Sequence, residues 1–169
     1  TVLSEYGADA TEYPPQLSNV SYGAAQSFTL IDPSSEASYL VPMNDDLGMT
    51  WTQPHFAAAG NGFAPGTAAI GFESEPDDRV NFTGQFETEL PPKTHAVRAR
   101  VEFTLNDASS VTDLLLRLKY DNGFVAYLNG TQVAADNAPD SPSWFSAAPD
   151  NAPRDSRALE FVEFDLGSA

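Results

Sequence analysis

Cysteine is absent from the 169 residues, which excludes a disulfide framework and any thiolate-ligated metal. Histidine occurs only at His55 and His95. The two lack the His-x-x-x-His spacing of a zinc site, and no Gly-x-Ser-x-Gly elbow offers either one a nucleophile to activate. Positive charge is scarce: eight Lys and Arg stand against 24 Asp and Glu, a formal net charge of −16. Such a surface repels phosphate backbones, so nucleic acid is not expected as a partner. It also keeps a protein soluble in salt, which points to a saline exterior. No run of about eighteen apolar residues occurs, so membrane insertion is not expected. The chain begins at Thr1 without an initiator Met or a secretory leader, and the expected start is a processed or excised end.

What the chain does have is strand periodicity and turn chemistry. Leu114, Leu116, Leu118 and Tyr120 alternate with Leu115, Arg117 and Lys119, the period of two of a half-buried strand. Asp121-Asn122-Gly123 supplies residues that tolerate positive φ, and Asn129-Gly130 is a strong hairpin signal. Residues 114–135 therefore read as a meander of three short strands joined by two tight turns. In His95–Leu105, Val97, Ala99, Val101, Phe103 and Leu105 fall on one face and Arg98, Arg100, Glu102 and Thr104 on the other. The first set is expected in the core and the second in water.

Ser27–Ile31 and Ala37–Val41 are short strand candidates separated by the Asp32-Pro33 turn, and Ala68–Glu73 is a third. Trp51–Phe56 suits a brief strand or helical turn, followed by a Gly- and Ala-rich loop. Asn106–Ser110 reads as a turn, and residues 136–157, rich in Pro and Asp, as a long irregular segment. Ala158–Leu166 returns to alternation, with Leu159, Phe161 and Phe164 expected inward. No helix-period segment of convincing length appears. The expectation is an all-β protein, an antiparallel β-sandwich over residues 27–169 behind an extended lead-in at 1–26.

Residues 117–134, Arg-Leu-Lys-Tyr-Asp-Asn-Gly-Phe-Val-Ala-Tyr-Leu-Asn-Gly-Thr-Gln-Val-Ala, with Val101-Glu-Phe before them, resemble the galactose-binding-like jelly roll of bacterial extracellular multidomain proteins. Tyr39–Pro42, Leu47–Pro54, Ala69–Glu73, Trp144–Ser156 and Glu160–Leu166 extend the resemblance over roughly 27–166. Residues 11–23 are similar to the end of a lamin-tail-like domain. The resemblance implies a jelly-roll module appended to secreted or surface proteins, serving as a sugar binder, structural unit or interdomain spacer. Such modules continue past the position of Leu166 into a further strand. The expectation is thus either a fragment of a longer polypeptide or a sheet edge completed by a neighbouring copy.

Catalysis is not expected. With 24 acids, some carboxylate pairs fall by chance at the separations of about 5–9 Å that glycosidases use. No acid stands in an apolar strand context except Glu102. Calcium is the metal the composition suits, because loop carboxylates bring hard oxygen ligands together. Asp45-Asp46, Asp77-Asp78, Asp136, Asp140, Asp150 and Asp155 qualify, with Asp77 and Asp78, or Asp136 and Asp140 in the 136–155 loop, as hosts. Carbohydrate recognition needs flat aromatic faces beside amides and carboxylates. Trp144, Phe145, Tyr120, Asp121 and Asn122 are the candidate set, while Trp51 suits the core. Asn19, Asn81 and Asn129 each open an Asn-x-Ser/Thr sequon. The functional expectation is a non-catalytic extracellular accessory module that binds polysaccharide weakly or spaces neighbouring domains. The alternative is a fibre or adhesin subunit that polymerises through an open sheet edge.

Overall fold

In a computed structural model, which describes residues 27–74, 80–149 and 155–167, the chain is built from strands with almost no helix. It divides into two units, Thr1–Leu30 and Ile31–Ala169, and the elements below belong to the second. In order these are β1 (Glu36–Leu40), β2 (Ala64–Thr67), β3 (Ile70–Gly71), β4 (Thr88–Glu89), β5 (Arg98–Val101), β6 (Leu115–Leu118), β7 (Phe124–Leu128), β8 (Thr131–Asp136), α1 (Asp155–Ala158) and β9 (Val162–Asp165). They pair as β2-β1-β5, β3-β4, β6-β9 and β7-β8, all antiparallel except β3-β4.

The Asp32 turn launches β1. Its Oδ1 accepts the Ser34 N–H at 2.9 Å and the Ser34 hydroxyl at 2.7 Å, and the Ser35 N–H returns to the Asp32 carbonyl at 3.0 Å. The Ser34 hydroxyl first, then its N–H, hold the Asp32 carboxyl below the usual carboxylate range. β1 then uses both edges, Ala37 pairing with Gly66 of β2 and with Val101 of β5. Residues 27–31 join no ladder among the described residues, and Phe28 is exposed. The strand expected there is not formed.

A buried threonine ties β2 to β4. Thr88 Oγ1 accepts the Thr67 backbone N–H at 2.7 Å and shares a 3.1 Å hydrogen bond with the Thr67 hydroxyl. Gly66 is required beside it, since a Cβ there would lie 2.7 Å from Thr88 Oγ1 and 3.1 Å from the Tyr39 ring. Among the described residues, Ala37, Leu90 and Ala158 are the buried apolar ones and Thr52 and Thr88 the buried polar ones.

The expected faces of 95–105 hold for Val101 and Leu105, half-buried, and for Glu102 and Thr104, exposed, but are inverted over 97–100, where Ala99 is also exposed. Arg98 and Arg100 are the covered side chains, 11% and 10% exposed, while Val97 and Phe103 are each 39% exposed. Arginine stems cover apolar surface, and their flat heads stack on rings. Arg98 lies 5.7 Å from the Trp51 ring centre and Arg100 5.5 Å from that of Phe56. Arg100 Nη1 also donates to the Trp51 carbonyl and, at 3.1 Å, to that of Gln53. The first carbonyl lies within the 3-10 turn at Thr50–Thr52 and the second caps its C-terminal end, where a short helix leaves acceptors for a side chain. That turn is the helical alternative expected near Trp51.

The meander also differs from expectation. β7 and β8 form the hairpin, with Asn129 and Gly130 both at positive φ (51° and 86°) as a type I′ turn requires. An irregularity between Ala126 and Tyr127 leaves Val133 without an opposite residue. β6 leaves this hairpin and pairs with β9. The first turn is committed elsewhere: Asn122 (φ 73°) gives its carbonyl to the Asn137 side chain at 2.7 Å, and Gly123 sits against the Asn137 and Asp136 carbonyls.

The alternation of β6 holds, with Leu116 and Leu118 half-buried opposite Phe164 and Val162, and Arg117 outside, 2.9 Å from Glu163. Phe161 is 48% exposed rather than inward. Its ring lies beneath the Arg117 guanidinium at 5.3 Å and the Lys119 ammonium at 5.0 Å. No helix among the described residues is long and apolar enough to cross a membrane.

Candidate functional site

Long loops present side chains where a short local bond network holds their tip. In the 137–149 loop, the Ser146 N–H reaches the Ser143 carbonyl at 3.3 Å and Ser146 Oγ accepts the Ser143 N–H at 2.7 Å. Trp144 and Phe145 occupy the two central positions of this turn. The Trp144 N–H donates to Asp45 Oδ1 at 2.7 Å, a bond between residues 99 positions apart. It fastens the loop tip to the segment that follows β1.

The rings stack in series. Trp144 and Phe145 have centroids 5.1 Å apart, and Phe145 and His95 4.7 Å apart, both tilted. Phe145 is 56% exposed while Trp144 is half-buried, so Phe145 carries the open face and Trp144 anchors it. Asp45 Oδ1 also faces Arg98 Nη2 at 3.7 Å. Arg98 rests on Trp51, whose ring meets Tyr127 edge-on at 6.0 Å. Burial raises the Tyr127 phenol above its ordinary value. The result is a rim of aromatic rings around one exposed carboxylate and one largely covered guanidinium.

Of the five candidate carbohydrate residues, Trp144 and Phe145 meet at this rim. Tyr120 has other partners: Phe124 at 4.8 Å, Phe164 at 6.4 Å, and a hydrogen bond from its hydroxyl to Asp136. That bond, then burial, then the negative charge of Asp136, raise the Tyr120 phenol. Asp121 and Asn122 are exposed in the turn tied to Asn137.

Among the calcium candidates, Asp77, Asp78 and Asp150 lie outside the described residues, as does the Asp155 side chain. Asp136 accepts from Tyr120 and Asp140 is exposed. Among the described residues, no group of three or more His, Cys, Asp or Glu is gathered as a metal would require.

Asp45, His95 and Arg98 were not legible as partners of Trp144-Phe145. His95 reads alone as a strand-end residue and Arg98 as part of a wet face. Their one sequence signal is negative: Arg98 is one of few cations in an acidic chain. Neither protein-family models, curated proteins nor solved structures provide a match to this chain, so the rim itself is what bears on function.

Proposed function

We propose that this chain is a non-catalytic extracellular module, a galactose-binding-like jelly roll, that binds carbohydrate weakly through the Trp144-Phe145 loop tip. One observation carries this: an exposed aromatic face, Phe145 at 56%, is held in place by Trp144, His95 and the Asp45 bond to the loop. Sugar rings present C–H patches and hydroxyls together, which an aromatic face beside a carboxylate complements. A fixed face loses less conformational entropy on binding than a mobile one. Affinity gels cast with a panel of polysaccharides test it. Retardation of the parent chain is expected, and its loss in Phe145→Ala at an unchanged melting temperature. A parent that no polysaccharide retards would end the proposal.

A second reading, a fibre or adhesin subunit joined by strand addition, is favoured by a different observation. Three of the four sheets have two strands, so β3, β4 and β6 to β9 each keep one edge without a strand partner among the described residues. Size-exclusion chromatography over a range of concentrations decides, with monomers throughout counting against it. Calcium belongs to the first reading as a loop ligand of Asp77 and Asp78, or Asp136 and Asp140. Melting curves that coincide with and without EDTA would remove it.

A further inference from the structure

Positive charge is the rare commodity of this chain, and two of its eight Lys and Arg lie side by side on one face of β5. Both are nearly nine-tenths covered, Arg98 at 11% and Arg100 at 10% side-chain exposure. Neither is fully partnered. Arg98 donates no hydrogen bond among the described residues; its nearest acid oxygen, Asp45 Oδ1, is at 3.7 Å, beyond hydrogen-bond range. Arg100 uses Nη1 on the Trp51 and Gln53 carbonyls and has one contact at 3.4 Å with Glu102, which is 75% exposed. Its Nε is buried and has no hydrogen-bond partner among the described residues.

A guanidinium carries five N–H donors, and those of the Arg98 side chain are uncommitted among the described residues, with only the Asp45 carboxylate facing them at 3.7 Å. A guanidinium presents its N–H groups as a fork that matches the two oxygens of a carboxylate. The aromatic rim adjoins this fork, because the same Asp45 oxygen accepts the Trp144 N–H and faces Arg98.

Building on the carbohydrate reading above, we infer that Arg98, with Arg100 behind it, is the subsite for the carboxylate of a uronate sugar whose ring lies on Phe145. Asp45 has two opposed roles. It fastens the Trp144 loop, and as the resident anion it weakens the entry of a second carboxylate. Arg100 is a positioning residue: it holds the Trp51–Gln53 backbone and adds positive potential without needing to touch the ligand.

Calorimetric titration of the whole 169-residue chain with sodium glucuronate tests the assignment, with methyl glucoside and sodium sulfate at matched ionic strength as references. Glucuronate binding on the order of tenfold tighter than methyl glucoside is expected, and lost on the order of tenfold in Arg98→Gln. Asp45→Asn keeps an acceptor for the Trp144 N–H while removing the competing charge, so it tightens glucuronate severalfold. A merely structural Asp45–Arg98 pair would not produce that gain. Glucuronate no better than methyl glucoside overturns the inference, as does unchanged binding in an Arg98→Gln chain with the parent's circular dichroism. Sulfate binding as tightly as glucuronate overturns the carboxylate assignment. Should Arg98→Gln not fold, Asp45→Asn decides alone, and weaker glucuronate binding in that variant refutes the subsite. Glucuronate binding through Arg98 without retardation by any polysaccharide leaves the subsite standing and removes the polysaccharide reading. Retardation by neutral polysaccharide that Arg98→Gln leaves intact does the reverse.

Discussion

Replacing Thr88 with valine changes one hydroxyl to a methyl at nearly constant volume and β-propensity, so the expected loss isolates a single buried acceptor. Thr88 is 8% exposed, and its Oγ1 receives the Thr67 backbone N–H at 2.7 Å. The methyl of Thr88→Val cannot accept that bond and cannot stay at that distance. Thr67 N–H is left in a part-buried setting without its acceptor, at a cost of about 1–3 kcal/mol. For a chain of this length that corresponds to a melting temperature lower by roughly 3–10 °C. Thr67→Val is the internal control. It deletes only the 3.1 Å hydroxyl contact and keeps the backbone bond, so about 0.5–1 kcal/mol is expected. Urea unfolding of the two single variants and the double variant gives the coupling directly, and the double should lose less than the two singles together. A Thr88→Val midpoint within error of the parent, or equal to that of Thr67→Val, would falsify the placement of β4 beside β2.

Gly130→Ala should destabilise by about 1 kcal/mol or more, because φ is +86° there and the new Cβ would lie 2.5 Å from Gln53 Nε2; an unchanged urea midpoint would contradict the type I′ turn. Glu163→Gln should stay within about 0.5 kcal/mol of the parent, since both partners of the Arg117 pair are more than half exposed, and a larger loss in the same assay would show the pair to be structural. The Tyr120 phenol is raised above 10.0 by its bond to Asp136, so that contribution to stability is complete below pH 10 and is lost as pH rises through the higher folded value. In an ultraviolet phenolate titration, Tyr120→Phe should therefore remove a transition lying above pH 10, and loss of one at or below pH 10 would refute the bond.

The parts of the fold legible in the sequence are those that adjacent residues decide. The alternation of Leu116 and Leu118 with Leu115 and Arg117 emerges as the inner and outer faces of β6. Asn129-Gly130 forms the hairpin turn because few other pairs accept positive φ twice in succession. Asp32-Pro33-Ser34-Ser35 makes its turn through side-chain bonds spanning two and three residues. Each depends on backbone geometry and neighbouring groups, which a local stretch carries within itself.

What only the tertiary structure decided is which face of a strand is covered and which distant groups meet. Val97, Ala99 and Val101 alternate with Arg98 and Arg100 whichever side is buried. The arginines are covered because the Trp51–Phe56 segment brings rings and backbone carbonyls to their side of β5. β6 pairs with β9, which is 44 residues on in the chain from Leu118 to Val162, rather than with the adjacent β7, and nothing in the local stretch carries that choice. The aromatic rim needs Asp45, His95, Arg98, Trp144 and Phe145 in one place, although Asp45 and Trp144 stand 99 residues apart. Periodicity encodes an alternation of faces, but burial is a relation between elements, and no strand by itself specifies what will lie against it.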